Sequence, residues 1–149
     1  MRGELLSDLN AQISYEVRME LHHRLVTINP VQPRWEDIEL ANHNVFRLDA
    51  QNQVVWQVVR AELPDSPSWP EKHAMARQWR SEGVIDGAFT EDGYLDPFTS
   101  MNLDERAAID SEPKGVWRPG CVVYLFTRWW SYILDPETGI ATCTGDQVK

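Results

Sequence analysis

Cysteine is scarce in this chain: only Cys121 and Cys143 occur among 149 residues. Neither belongs to a Cys-x-x-Cys pair, which excludes the common zinc and thiol-redox motifs. Both are expected to be small buried side chains. On the first and third strands of one meander they would lie ~9.5 Å apart, beyond the ~7 Å that a disulfide tolerates between Cα atoms. Glycine is thin as well, at eight residues, and no Gly-rich loop is present to cradle a phosphate. No Gly-x-Ser-x-Gly occurs, so the nucleophile-elbow hydrolases are excluded. Histidine appears four times, as His22, His23, His43 and His73, without a His-x-x-x-His spacing. If His22 and His23 sit on a helix they point ~100° apart and cannot easily share an ion. An EF-hand centred on Gly93 would put Ala88 at its first ligand position, so that motif fails too. No metal and no cofactor are expected.

Basic residues are outnumbered, fourteen against twenty-three acids, for a net charge of −9. A nucleic-acid partner needs a lysine and arginine patch, and none is expected here. No apolar run approaches the ~20 residues that span a bilayer. The segment Met1 to Asp8 carries acids and lacks the apolar core of a signal peptide. The expected location is cytoplasmic, with no membrane association. A homo-oligomer remains open.

Acids and tryptophans are abundant. Between Gly83 and Glu112 stand Asp86, Glu91, Asp92, Asp96, Asp104, Glu105, Asp110 and Glu112 against the single base Arg106. Most of the net charge therefore sits in one segment. It also carries Phe89, Tyr94, Phe98 and Met101, which can anchor it to the body of the fold. A stretch this long without a sustained period is longer than a plain connection needs to be. The seven tryptophans exceed what a core of this size requires, and some are expected to line a pocket or an interface.

The length fits one domain over residues 1–149, and a chain this long buries roughly 68–70% of its unfolded surface without help from disulfides. Leu6, Leu9, Ile13, Val17, Leu21 and Leu25 recur at helical steps, so a helix is expected from Gly3 to Leu25. Ile13, Tyr15, Val17, Met19 and Leu21 also alternate as a strand would. Trp35 to Arg60 reads as a three-stranded meander through Ile38–Leu40, Val45–Leu48 and Val54–Val59. A second helix is expected over 71–81, with Pro70 at its start and Gly83 past its end. Leu103–Ile109 reads as a short helix. Cys121–Thr144 reads as a second meander turning at Asp135–Gly139. The expected fold is α+β: an antiparallel sheet built from two three-stranded meanders, with both helices packed on one face. Trp56 and Tyr124, mid-strand among apolar neighbours, should be more than half buried.

The two meanders align without a gap at an offset of 86, which sets Leu48 on Leu134, Phe46 on Tyr132, Leu40 on Phe126 and Val54 on Ile140. The stretch Tyr132 to Gly145, with Leu-Asp-Pro-Glu-Thr-Gly between two strands, resembles a quinoprotein-type β-propeller blade. Two such units cannot close a propeller of at least about four blades, so the resemblance implies no function.

Tryptophan faces beside carboxylates can hold an ammonium group. Trp129, Trp130, Trp56 and Trp117, with Asp92 and Asp96, are the candidate ligand-binding residues; no catalytic residue stands out. The leading expectation is a non-enzymatic binding module for a cationic or aromatic small molecule, or for a basic protein surface. A second is a hydrolase acting on a sugar through two facing carboxylates, for which the acids and aromatics are ingredients. A third is an acidic DNA mimic, which needs acids at phosphate-like spacing.

Overall fold

The computed structural model describes residues 13–28, 38–62, 66–82, 96–106 and 115–148. Among these residues ten strands form two five-stranded sheets, accompanied by two α-helices. In chain order they are β1 (Ile13–Met19), β2 (Arg24–Ile28), α1 (Ile38–Asn42), β3 (Val45–Leu48), β4 (Val54–Gln57), β5 (Val59–Ala61), α2 (Trp69–Ser81), β6 (Ser100–Asp104), β7 (Val116–Trp117), β8 (Val122–Phe126), β9 (Trp130–Leu134) and β10 (Ile140–Gln147).

The first sheet has the order β4-β3-β2-β1-β7 and the second β5-β10-β9-β8-β6. Each holds four antiparallel strands plus one parallel edge strand, β7 beside β1 and β5 beside β10. The expectation of an antiparallel sheet made of two meanders is corrected accordingly: there are two mixed sheets.

Three local expectations change with it. Residues 13–25 form β1, a tight turn and the start of β2 rather than a helix; 3–12 lie outside the described residues. Val17 and Met19 point into the core while Tyr15, Glu16 and Arg18 are exposed, the alternation of a strand with one buried face. Leu21 and His22 both take positive φ, 63° and 62°, as a two-residue hairpin turn of this hand demands. Ile38–Asn42 is helical, not the first strand of a meander. Of the expected helix at Leu103–Ile109, Leu103 and Asp104 end β6 instead, and 107–109 lie outside the described residues.

Other features hold. The second helix runs Trp69–Ser81. Ser68 and Glu71 cap it reciprocally: the Glu71 amide donates to Ser68 Oγ at 3.3 Å and the Ser68 amide to Glu71 Oε2 at 3.2 Å. Strands β8, β9 and β10 lie side by side. The offset of 86 survives in the hairpin registers. Phe46 faces Gln57 and Arg47 faces Trp56, as Tyr132 faces Cys143 and Ile133 faces Thr142. Cys121 and Cys143 are buried and free. Trp56 and Tyr124 are both more than half buried.

The main core lies between the sheets, where Val17, Leu25 and Val45 of the first meet Met101, Val123, Leu125, Tyr132 and Leu134 of the second. A second cluster of Val26, Ile28, Phe46 and Leu48 occupies the other face of the first sheet along β2 and β3, so these two strands are buried on both sides. The sheets share a corner at Val58. Its amide donates to Val45 of the first sheet at 2.9 Å, and the next amide, Val59, donates to Gly139 beside the second at 2.9 Å. One continuous strand, β4 into β5, therefore passes from sheet to sheet. Among the described residues no helix is long and apolar enough to cross a membrane.

Candidate functional site

The inward alternation that buries Val58 carries on to Arg60 and takes its guanidinium inside, with a fully buried side chain. A buried cation needs compensation from every side. Arg60 Nη1 donates to the carbonyls of Asn42 at 2.9 Å and Asp96 at 2.5 Å. Nη2 donates to Asp96 Oδ2 at 3.2 Å and to the Tyr132 hydroxyl at 2.8 Å. Three rings enclose the group, Trp69 at 3.8 Å, Phe98 at 4.6 Å and Tyr132 at 4.8 Å from its central carbon. Glu62 sits beside it and accepts from the Tyr132 hydroxyl at 2.7 Å and from the Trp69 indole. Lys72 also lies over Trp69, 4.3 Å from the ring centre. Burial pushes the Asp96 carboxyl up while Arg60 pulls it back, and burial likewise raises the Tyr132 hydroxyl and lowers Lys72.

Two asparagines hold the end of the acidic segment against this cluster. Asn42 Oδ1 accepts the Asp96 amide at 2.6 Å, and Asn44 Oδ1 accepts the Phe98 amide at 2.9 Å while its Nδ2 donates to the Phe98 carbonyl at 2.8 Å. Because Asn42 Oδ1 is occupied, its Nδ2 is the donor to His73 Nε2, 3.1 Å away. The His73 proton therefore rests on Nδ1, which faces Glu39 Oε1 at 3.9 Å. Glu39 also takes Arg77 at 2.6 Å. His43 donates Nδ1–H to the Glu39 carbonyl at 2.8 Å and packs edge-on to His73. Around Glu39, His43, Val59, Pro70 and His73 lies a recess of about 500 Å³.

Burial, with His43 second, lowers His73 from 6.5 to about 4. The unfolded chain takes that proton near 6.5, but the folded chain refuses it until about 4. Protons in that window favour unfolding, so stability should fall as pH drops from 6.5 to about 4. The slope is at most about 1.4 kcal/mol per pH unit from this group. His43, lowered chiefly by burial, adds in the same sense. Urea unfolding at several pH values should show the dependence, and His73→Gln should flatten it. An equal slope in that variant would assign it to other groups.

Of the candidate ligand-binding residues, Asp96 is committed to Arg60 and Asp92 lies outside the described residues. Trp56 and Trp117 stand on opposite edge strands of the first sheet. Both indoles pack against the main core and donate to carbonyls, Trp56 to Pro136 at 2.9 Å and Trp117 to Cys121 at 3.1 Å. Trp130 packs against the same core, while Trp129 is 41% exposed beneath Arg128. The ring-and-carboxylate chemistry anticipated for a ligand is thus found around the chain's own Arg60, in a cluster that includes Trp69. Sequence reasoning passed over both residues. For Arg60 the signal was the step of two from Trp56 through Val58.

The outer face of the second sheet is the other feature with functional potential. Val59 and Ile140 are neighbours in register, 58% and 44% exposed. Ile133, 44% exposed, faces Tyr124 across the strands, and Tyr124 stacks on Phe126 at 6.3 Å. These side chains share the outer face of the sheet, where the exposed Thr142 stands opposite Ile133. Asp104, Glu105, Asp135, Glu137 and Asp146 lie at the strand ends and turns around it, against Arg106 and Arg128. Arg106 is spent on Asp104, with a closest approach of 2.6 Å. Among the described residues no group of three His, Cys, Asp or Glu side chains is placed to hold a metal ion. No protein-family model, curated protein or solved structure matches the chain.

Proposed function

We propose that this protein is a non-enzymatic binding module that docks a basic protein surface on the outer face of its second sheet. The observation that carries the reading is the outer face on which Val59, Ile133 and Ile140 are exposed, with Tyr124 and Phe126 half-buried beside them. The central strands β2 and β3 of the first sheet are buried on both faces, whereas the central strands β9 and β10 of this one leave Ile133 and Ile140 in water. An exposed apolar face of this kind marks an interaction site. The acidic rim selects the partner: lysines and arginines around an apolar centre would find complementary charge, and a second copy of this chain would bring acid against acid. Asp96 and Glu62, the carboxylates best enclosed by aromatics, are engaged with Arg60, Trp69 and Tyr132, which favours binding over two-carboxylate hydrolysis.

A peptide alternating lysine and valine, and its glutamate–valine counterpart, test this by NMR titration. The lysine peptide should shift the amides of β8, β9 and β10 and bind more weakly as salt is raised. Ile133→Lys with Ile140→Lys should weaken it by about tenfold or more and leave the melting temperature nearly unchanged, as both sites are exposed. Equal binding of the glutamate peptide, or concentration-dependent dimerisation through this face, would sink the proposal.

A further inference from the structure

We infer that the recess at the β1–β2 turn is a binding site for a small organic anion, a carboxylate or phosphate group carried on a compact apolar body. The inference rests on the first sheet and is independent of the docking face on the second. The recess measures about 490 Å³, within the usual ~300–1,000 Å³ range of small-molecule sites. It reverses the charge balance of the protein. Arg18, Arg24 and Arg118 line it together with His22 and His23, against Glu16 and Glu20, in a chain whose net charge is −9.

The arrangement of these groups points to an anion. Arg18 and Arg24 are direct partners across β1 and β2, so their side chains leave the same face of the sheet. Like charges placed opposite each other in this way are destabilising. Glu16 offsets Arg24 at 3.6 Å, and Arg24 also donates to Asn52 Oδ1 at 2.8 Å. Arg18 has neither an ion pair nor a hydrogen bond among the described residues, so its charge is uncompensated. His23 adds a donor. Arg47 Nε donates to His23 Nδ1 at 3.0 Å, which leaves the imidazole proton on Nε2. Arg18 and the Nε2–H of His23 are therefore donors that the recess offers, against the carboxylate of Glu20.

The apolar half of the ligand is read from the turn itself. Leu21 sits at its tip in a left-handed conformation, φ 63°, with 79% of its surface exposed. A leucine pays for that backbone and for that exposure at once. It lines the recess together with Val116. An anion held by the arginines would place an attached ring or short chain within reach of these side chains. A nucleic acid is not the ligand this geometry describes, since the basic groups are confined to one recess and the rest of the charge repels a polyanion.

Calorimetric titration with phenyl phosphate, benzoate, benzyl alcohol and inorganic phosphate tests the inference. Phenyl phosphate or benzoate should bind, and the stronger of the two identifies the headgroup. Benzyl alcohol, lacking charge, and inorganic phosphate, lacking the apolar body, should each bind at least about tenfold more weakly. Arg18→Gln should reduce binding of the preferred anion about tenfold, and Arg18→Lys should restore much of it. Leu21→Asn, which suits the left-handed backbone, should keep the fold and weaken phenyl phosphate while leaving inorganic phosphate unchanged. The proposal fails if benzyl alcohol binds as well as the anions. It fails equally if inorganic phosphate matches phenyl phosphate, if Arg18→Gln and Leu21→Asn both bind as the parent does, or if no anion binds at millimolar concentration.

Discussion

Arg60→Ala is expected to cost about 3–5 kcal/mol of stability, the range for removing one partner of a buried ion pair. The loss is not chiefly that of the Arg60–Asp96 attraction. Without the guanidinium, Asp96 is left buried at 4% exposure beside Glu62, and the carbonyls of Asn42 and Asp96 lose their donor. The rings of Trp69, Phe98 and Tyr132 are left around a void. Two controls separate these effects. Arg60→Met fills much of the volume and should recover only the packing part. Asp96→Ala in the Arg60→Ala background should cost far less than it does alone, because the stranded carboxylate is already the main penalty. Chemical denaturation of the four proteins gives the coupling. If the two single changes add, the cluster is not acting as a unit.

Trp56→Ala should cost a similar ~3–5 kcal/mol as a large-to-small change against the main core. Its indole closes the corner between the sheets by donating to Pro136 at 2.9 Å, and Arg47 Nη1 donates to the same carbonyl at 3.0 Å. The turn of β9–β10 accommodates the ring only because residue 139 is glycine. A Cβ there would lie 2.6 Å from Trp56 Cδ2, and φ of Gly139 is +83°. Gly139→Ala is therefore expected to destabilise by ~1–3 kcal/mol through overpacking, with backbone strain in addition. In the Trp56→Ala background the clash disappears and only the strain remains, so the second substitution should become cheaper. Equal costs in both backgrounds would show that the indole and the turn do not press on each other.

The hairpins of this protein were legible because their causes are local. Asp135-Pro136-Glu137-Thr138-Gly139 carries its own turn chemistry, and the flanking alternation puts Tyr132 and Leu134 inside. The β1 segment was not, for a definite reason. Ile13, Val17 and Leu21 belong both to a step of four and to a step of two, so they support a helix and a strand equally. The choice is made by β2, which supplies a hydrogen-bonding partner that no local count reveals. Ile38 and Leu40 present the same ambiguity over a shorter stretch. At the candidate site the sequence singled out Asp96, but for an external ligand rather than for a cation of the chain itself. It missed that the cation is Arg60, 36 residues away, because an arginine next to valines in a strand is ordinarily solvent-facing. The apolar outer face of the second sheet is also an assembly from distant pieces: Val59 meets Ile140 only through the parallel pairing of β5 with β10.

That pairing also bears on how the chain is made. The strands of the first sheet from β1 to β4 pair with sequence neighbours and can come together while later residues are still being synthesised. The strand that turns the corner cannot finish its task then, because β5 hydrogen-bonds into the second sheet only through β10. Until β10 forms, Val59 to Ala61 have no strand of the second sheet to pair with, although β6, β8 and β9 can already cover the inward face of the first sheet. Long-range parallel pairings of this sort form slowly. The corner strand is therefore the part of this fold completed late: the Val58–Val45 hydrogen bond ties it to the first sheet, and only the docking of β10 ties it to the second.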